Sequence, residues 1–172
     1  MNKKISKIMA LLLIVTMMMS ITAFAEGNDS EIEQEQLSFS EYDGSNDNIG
    51  EIDQYVDGIY NIGENARASM SGVIRLYQSG TKLATTYSTA YTKTVDRIGV
   101  KNIKLQYKGS LGLWHDIITI DDRYRTNDAA YQGGFSCSGV IGRTYRMKGT
   151  HYIIDGSYKE SRNNVTDGLT FR

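Results

Sequence analysis

From residue 66 onwards, polar and apolar side chains alternate with a period of two, and this pattern limits the fold more than any other feature. Alternation combined with many β-branched and aromatic residues is typical of antiparallel strands with one buried face. Glycine-rich turn signals separate the alternating stretches, and none of these stretches has helical spacing. The predicted strands lie near residues 67–77, 82–95, 101–108, 113–120, 130–138 and 143–154, with one or two short strands in 157–172.

This series of short strands predicts an all-β domain over residues 66–172. We expect an antiparallel β-sandwich of about seven strands in immunoglobulin-like order, with a β-barrel as the second choice. The glycine turn and strand from Gly139 to Arg146 resemble the penultimate strand of immunoglobulin-like and fibronectin-like sandwiches. In those folds an early tyrosine, here Tyr145, closes a corner by bonding to the backbone.

The same region resembles small secreted β-sandwich proteins of unknown function from Gram-positive bacteria. The resemblance rests on a leader, a polar spacer, the run from Asp96 to Val100 before a lysine-flanked strand, and a late Gly-x-x-Tyr strand. This family implies no activity, so it transfers no functional residues to the chain.

Residues 1–25 have the composition of a secretory signal peptide. Three lysines precede an apolar run over residues 8–19, and Ala23-Phe24-Ala25 supplies the small-x-small cleavage pattern. The apolar run has 12 residues, which is short of the ~20 that cross a bilayer. We therefore expect cleavage between Ala25 and Glu26, no membrane span in the mature chain, and secretion with release or loose association with the cell wall.

Charge divides the remaining chain into two parts. Residues 26–64 contain 12 acidic side chains and no basic ones, whereas residues 65–172 contain 16 basic and 8 acidic ones. Because the acidic part has few large apolar residues, we predict that residues 26–65 are largely disordered. Within them, the spacing of apolar residues between Ile52 and Tyr60 is compatible with a short helix or with a loop.

The sequence offers little material for catalysis. Its single cysteine, Cys137, lies in no recognisable catalytic motif, and combining it with Asp116 and either His115 or His151 gives only a formal triad. We expect Cys137 to be a small buried thiol and His151 a hydrogen-bonded core residue. Glu160 is the only glutamate of the predicted domain, so a glycoside hydrolase with paired carboxylates is a weaker hypothesis.

We predict no cofactor and no metal centre. One group of oxygen ligands nevertheless suggests a calcium site within a predicted loop. Arg123 and Arg125 lie among these oxygens, so an ion-paired or solvated loop is favoured, and the calcium alternative stays open. The group consists of Asp121, Asp122, Asn127 and Asp128.

The strongest functional signal is a set of basic residues that point outwards from two predicted strands. If these strands are neighbours in the sheet, their side chains form one basic surface that attracts polyanions. The candidate binding residues are Lys104, Lys108, Arg146, Lys148 and Tyr152. The alternative interpretation is a charged strand face that prevents aggregation.

These observations favour a non-enzymatic protein that binds an anionic envelope polymer or extracellular glycan, and we expect no nucleic acid partner. The second hypothesis is a secreted antimicrobial or toxin-like cationic protein that the acidic segment shields until it is removed. A small hydrolase is the third.

Overall fold

The computed structural model describes residues 40–44, 51–60 and 69–172. The predicted signal peptide and its cleavage site lie outside these residues. The described part of the chain is all-β and forms one antiparallel sheet of eight strands. The strands are β1 (Ser40–Tyr42), β2 (Gln54–Tyr60), β3 (Met70–Ser79), β4 (Lys82–Lys108), β5 (Trp114–Ser138), β6 (Thr144–Asp155), β7 (Tyr158–Val165) and β8 (Leu169–Thr170).

Strand β4 is the centre of the sheet. It pairs with β5 along most of its length, and on its other side it pairs first with β3 and then with β6. Strand β2 extends the sheet beyond β3, strands β7 and β8 extend it beyond β6, and β1 lies on the outer side of β5. In the part of the chain that the structure describes, no helix is long and apolar enough to cross a bilayer.

The sheet folds over on itself where β4 changes partner from β3 to β6. The register between β4 and β5 jumps from Ala90 to Val95, so extra residues of β4 form a bulge at this point. Across the fold, the Thr89 hydroxyl donates a hydrogen bond of 3.0 Å to the Gly99 carbonyl of the same strand. The inner surfaces of the two halves therefore face each other.

The hydrophobic core lies between these two inner surfaces. Ile74 of β3 packs close to β6, since a Cβ on Gly149 would lie 3.1 Å from the Ile74 Cδ1 atom. The core combines alternate residues of both halves, as the period-two pattern predicted. Its buried members include Ile74, Leu76, Leu83, Tyr87, Val100, Ile103, Leu105, Phe135, Cys137, Tyr145, Met147 and Phe171.

The strand boundaries correct the sequence prediction in two places. Strands predicted at 82–95 and 101–108 form the single strand β4, and those predicted at 113–120 and 130–138 form the single strand β5. The polar run within β5 continues the ladder because its backbone still pairs with β4, for example Asp122 with Lys101 and Tyr124 with Gly99. The polar composition of this run indicated a loop, but its backbone hydrogen bonds to β4 keep it in the strand.

The acidic segment also contains structure that its composition did not predict. Strand β2 replaces the expected helix or loop because it pairs in register with the edge of β3, from Gln54 opposite Gln78 to Tyr60 opposite Gly72. Strand β1 pairs with β5 through Ser40, Glu41 and Tyr42. Residues 26–39, 45–50 and 61–65 lie outside the described ranges, and the domain boundary near residue 65 stays a prediction.

The contact expected of Tyr145 is present. Its hydroxyl oxygen accepts a hydrogen bond of 2.9 Å from the Val140 amide, which holds the β5–β6 loop against the start of β6. The Tyr145 ring meets Phe171 edge to face in the core.

Candidate functional site

The structure brings the predicted basic residues of β4 and β6 onto one outer surface. Lys104 lies opposite Lys148, and Arg146 lies opposite Gln106. Directly opposite residues of neighbouring strands lie on the same side of a sheet, about 5 Å apart. We call Lys104, Lys108, Arg146 and Lys148 the basic face. Lys104, Arg146 and Lys148 are therefore neighbours, as expected, whereas Lys108 lies one residue beyond the last pair between β4 and β6.

Arg146 is held in place by an aromatic ring and an amide. Its guanidinium carbon lies 4.2 Å from the centroid of the Trp114 ring, and its Nε donates a 2.8 Å hydrogen bond to Gln106 Oε1. Partial burial lowers the pKa of Arg146, but its side chain remains a cation at any physiological pH. The stack removes rotamer freedom before any ligand arrives, so the entropy lost on binding is smaller.

Asp116 is the carboxylate that contacts this surface. It accepts hydrogen bonds from Lys104 Nζ and Gln106 Nε2, and these hydrogen bonds, that from Lys104 foremost, lower its pKa. Asp116 therefore stays ionised and fixes Lys104 in position. It neutralises one cation of the basic face and leaves a net positive surface.

Beside this pair lies a groove of about 350 Å³ between β4, β6 and β7. Lys148 lines it and, among the residues that the structure describes, has no carboxylate within ion-pair distance. Asn163 uses its side-chain oxygen to accept a hydrogen bond from Thr150, which leaves the two hydrogens of its amide nitrogen to serve as donors. The groove is lined by Asn102, Lys104, Lys148, Gly149, Thr150, Asn163, Asn164 and Val165. Lysine ammonium and amide donors of this kind suit an oxyanion.

Tyr152 lies on the same side of β6 as Lys148 but is only 5% exposed. Its hydroxyl donates a 2.8 Å hydrogen bond to Asp122 Oδ1, and the Lys101 ammonium lies 5.4 Å from its ring centroid. Burial and the bond to Asp122 raise its pKa. Tyr152 therefore supports the surface from beneath, and its ring presents little area to a ligand.

The predicted loop of oxygen ligands is part of strand β5, and its carboxylates are used separately. Asp122 accepts the hydrogen bond from Tyr152. Asp128 instead accepts hydrogen bonds of 2.7 Å and 3.2 Å from the backbone amides of Ala129 and Ala130. The Asp128 carboxylate also lies 3.6 Å from Arg125. The backbone bonds lower the pKa of Asp128. In the described residues, no three His, Cys, Asp or Glu side chains converge in a way that could hold a metal ion.

The residues of the formal triad have separate environments. Cys137 is buried in the core, and burial raises the pKa of its thiol to about 12, so the nucleophilic thiolate is scarce. His115 stacks on Tyr107 with ring centroids 5.0 Å apart. Glu160, the other catalytic candidate, accepts a 3.0 Å bond from the Tyr158 hydroxyl and lies 3.5 Å from Arg162.

His151 is fully buried at the junction of the two sheet halves. Its Nδ1 lies 2.8 Å from the Thr89 hydroxyl oxygen, whose proton is donated to Gly99, so Nδ1 carries the hydrogen and donates it to Thr89. The Asn164 amide lies 3.4 Å from Nε2. Burial lowers the pKa of His151 to about 4. The predicted buried histidine with hydrogen-bond partners is confirmed.

A second concavity, of about 450 Å³, lies where β2 meets the β3–β4 turn. Its polar groups bond mainly to each other: Asp53 accepts a 2.6 Å bond from the Gly80 amide, and Gln78 bonds to the Arg172 backbone. This concavity is larger than the groove beside Lys148, but its Asp53 and Gln78 side chains already have hydrogen-bond partners. The groove is therefore the better candidate site.

Three contributors to the site were missed from the sequence. Gln106 could have been found, because it lies between Lys104 and Lys108 on the same face of a predicted strand. Asn102 and Trp114 gave no such signal. Asn102 has a positive φ of 52° within the bulge that separates Lys101 from Lys104, and Trp114 reaches Arg146 across the intervening strand.

No protein-family model, curated protein or solved structure matches this chain. The basic face and its groove are therefore the features of this chain that indicate a function.

Proposed function

We propose that this protein is a secreted, non-enzymatic module that binds an anionic polymer of the cell envelope or an extracellular glycan through its basic face. The observation that carries the proposal is the pair of opposite lysines, Lys104 and Lys148, beside a donor-lined groove. Like charges directly opposite each other destabilise a sheet. Asp116 offsets the charge of Lys104, but among the described residues Lys148 has no carboxylate within ion-pair distance, so its placement is better explained by an anionic ligand than by stability.

The spacing of the cations favours a polymer. Neighbouring strands place Lys104 and Lys148 about 5 Å apart, and positions two residues apart on one strand are about 7 Å apart. Such a row can contact several charges of a repeating chain, and each contact adds to the others. Arg146, held against Trp114, adds a planar donor that suits phosphate or sulfate oxygens.

Secretion and fold detail are part of the same proposal. Secretion, with loose retention at the wall, is supported by the leader-like residues 1–25. A two-layer sandwich is supported by the close packing of β6 on β3 at Gly149. An immunoglobulin-like strand order and membership of a Gram-positive family stay predictions.

The test is a titration of the mature chain, residues 26–172, with poly(glycerol phosphate), with heparin and with neutral dextran at two salt concentrations. The Lys104→Gln/Lys148→Gln variant is compared with Lys82→Gln/Lys159→Gln, which removes two exposed lysines elsewhere. We expect binding to one or both polyanions, weakened at least tenfold by the first double substitution and by high salt, and preserved by the second.

If both double substitutions weaken polyanion binding equally, the binding is non-specific charge attraction and does not depend on the basic face. Binding to dextran with the same affinity, or no binding to any of the three polymers, would contradict it.

The alternative is a cationic antimicrobial or toxin-like protein shielded by the acidic segment. Two contacts favour it: Glu41 pairs with Arg123 at 2.8 Å, and Asp57 pairs with Arg75 at 2.9 Å. Acidic residues of the predicted spacer thus pair with cations of the β domain. However, neither pair involves the basic face.

Deletion of residues 26–39 removes five acidic side chains and leaves β1 in place. Shielding predicts that this deletion increases polyanion affinity and produces growth inhibition of neighbouring strains. Unchanged affinity and no inhibition would exclude shielding without affecting the binding proposal. A small hydrolase remains the third candidate, and release of soluble product from cell walls would support it.

A further inference from the structure

Two loops at one end of the sheet expose aliphatic side chains. The β4–β5 loop carries Leu111 and Leu113, and the β5–β6 loop carries Val140 and Ile141. Their exposed fractions range from 47% for Val140 to 87% for Leu111. Single exposed apolar residues are common on proteins, but two exposed pairs in adjacent loops form a patch. We call these four residues the apolar tip.

The sheet register places the two loops side by side. Tyr107, near the end of β4, lies opposite Tyr145, near the start of β6. The Arg143 guanidinium lies 4.6 Å from the centroid of the Tyr107 ring and so links the β5–β6 loop to the base of the β4–β5 loop. The four aliphatic side chains therefore belong to one end of the molecule.

Both loops are ordered by backbone hydrogen bonds. In the first, the Gly109 amide bonds to the Leu113 carbonyl at 2.8 Å, and the Gly112 amide bonds to the Gly109 carbonyl at 2.9 Å. In the second, the Gly142 amide bonds to the Phe171 carbonyl at 2.8 Å. The Tyr145 hydroxyl accepts the Val140 amide. The tip is thus exposed in a defined conformation, which lowers the entropy cost of binding.

The two loops and the residues that flank them directly carry only positive charge, and the nearby carboxylate Asp116 is already bonded to Lys104. Residues 107–115 and 138–146 contain Lys108, Arg143 and Arg146, and neither range contains Asp or Glu. Trp114 and Tyr107 lie at the base of the loops, each beneath an arginine. Exposed aliphatic side chains in the loops, with aromatic rings and cations at the loop bases, suit the hydrocarbon, the interface and the anionic headgroups of a bilayer.

We propose that the apolar tip docks on a lipid bilayer with anionic headgroups, inserting Leu111, Leu113, Val140 and Ile141 while Lys108, Arg143 and Arg146 contact the headgroups. Two short loops at the end of a sheet offer little area to a folded protein partner, but they can enter a fluid surface. Apolar burial and headgroup attraction both contribute, so neither a purely neutral bilayer nor a soluble polyanion satisfies the whole surface.

The experiment measures binding of the mature chain to phosphatidylcholine vesicles with and without phosphatidylglycerol. Trp114 is the only tryptophan, so quenching by bromine-labelled acyl chains reports its depth directly. The Leu111→Ser/Ile141→Ser variant is compared with Ile59→Ser, which changes an exposed aliphatic residue of β2. We expect Trp114 fluorescence to be quenched with anionic vesicles only. The double substitution should reduce the affinity for these vesicles at least tenfold, and Ile59→Ser should leave that affinity unchanged.

Vesicle binding unaffected by the double variant, equal binding to neutral vesicles, or no vesicle binding would each overturn the proposal. Concentration-dependent dimers that the double variant abolishes, without vesicle binding, would assign the tip to a second copy of the chain instead. The double variant should bind poly(glycerol phosphate) like the parent, and Lys104→Gln/Lys148→Gln should retain vesicle binding. Failure of this proposal is thereby distinct from failure of the polymer-binding proposal.

Discussion

The two halves of strand β4 have similar inner surfaces and different outer ones. Residues 82–91 place Ala84 and Thr86 on the outer side, and tyrosines cover them. Residues 97–108 place Lys104 and Lys108 on the outer side, where Lys108 is exposed and Lys104 is half-buried. One strand thus carries both a covered, uncharged surface and an open, charged one.

Tyr42 and Tyr77 cover the outer surface of residues 82–91 through defined contacts. The Tyr42 hydroxyl donates a 2.7 Å hydrogen bond to the Thr85 carbonyl, and its ring lies against Gly134, where an added Cβ would be 2.7 Å from the ring. Tyr77 packs with Ala84 beside it. The outer surface of this sheet thus stabilises the fold in one half and, by our proposal, binds a ligand in the other. Four predictions test this division, in order of expected size.

The largest effect concerns the junction between the halves, where His151 is buried and neutral. Its folded pKa of about 4 lies below the ordinary 6.5, so unfolding becomes more favourable as the unfolded chain takes up a proton. Stability should be constant above pH 6.5 and fall by about 3 kcal/mol as the pH decreases to 4.

Chemical denaturation at several pH values measures this loss. His151→Gln should flatten the slope between pH 6.5 and 4 whatever its effect on overall stability. Asp116 and Asp128, whose pKa values are lowered, lose their contributions below their ordinary value of 3.8 and so fall outside this window. An equally steep slope in His151→Gln would show that another group titrates.

The second prediction concerns the close approach of β3 to β6. A Cβ on Gly72 would lie 2.5 Å from the His151 ring, which cannot move without losing its hydrogen bonds. Gly72→Ala should therefore lower the free energy of unfolding by about 2 kcal/mol. Ser71→Ala, one position along the same strand, is the matched control and should change it by less than about 0.5 kcal/mol. Equal effects would mean that the halves do not pack as described.

The third prediction tests the covered half. Tyr42→Phe removes the hydroxyl that bonds to Thr85 and should cost about 1 kcal/mol in thermal or chemical unfolding. Tyr124→Phe is the control on the open half, where the ring is 44% exposed and lies beneath Arg97. We expect almost no change in Tyr124→Phe. If Tyr42→Phe is also neutral, the covering tyrosine is not a source of stability.

The smallest effect is expected for the open half itself. Lys148→Gln should change the free energy of unfolding by less than about 0.5 kcal/mol, because repulsion from Lys104 and attraction to Asp116 oppose each other. A loss above about 1 kcal/mol would show that Lys148 has a structural role and would weaken the division between the halves.

The sequence correctly predicted those features of the fold that depend on the geometry of a single strand. Period-two alternation depends on the geometry of a single strand, and it identified the strand class, most strand positions and the inward side chains such as Met147 and His151. The prediction of Cys137 as a buried thiol, made from the absence of a catalytic motif, is also confirmed. The period-two pattern failed for β2, because a short acidic segment becomes a strand only when the edge of β3 supplies its partners.

The candidate site divides in the same way. Because side chains alternate along any strand, the amino-acid pattern was enough to predict outward positions on two strands for Lys104, Lys108, Arg146 and Lys148. The pairing of distant segments places Lys104 opposite Lys148, stacks Arg146 on Trp114 and buries Tyr152 against Asp122. Register, bulges and the fold of the sheet depend on pairing between distant segments, and pairing is a property of two strands that neither one specifies alone.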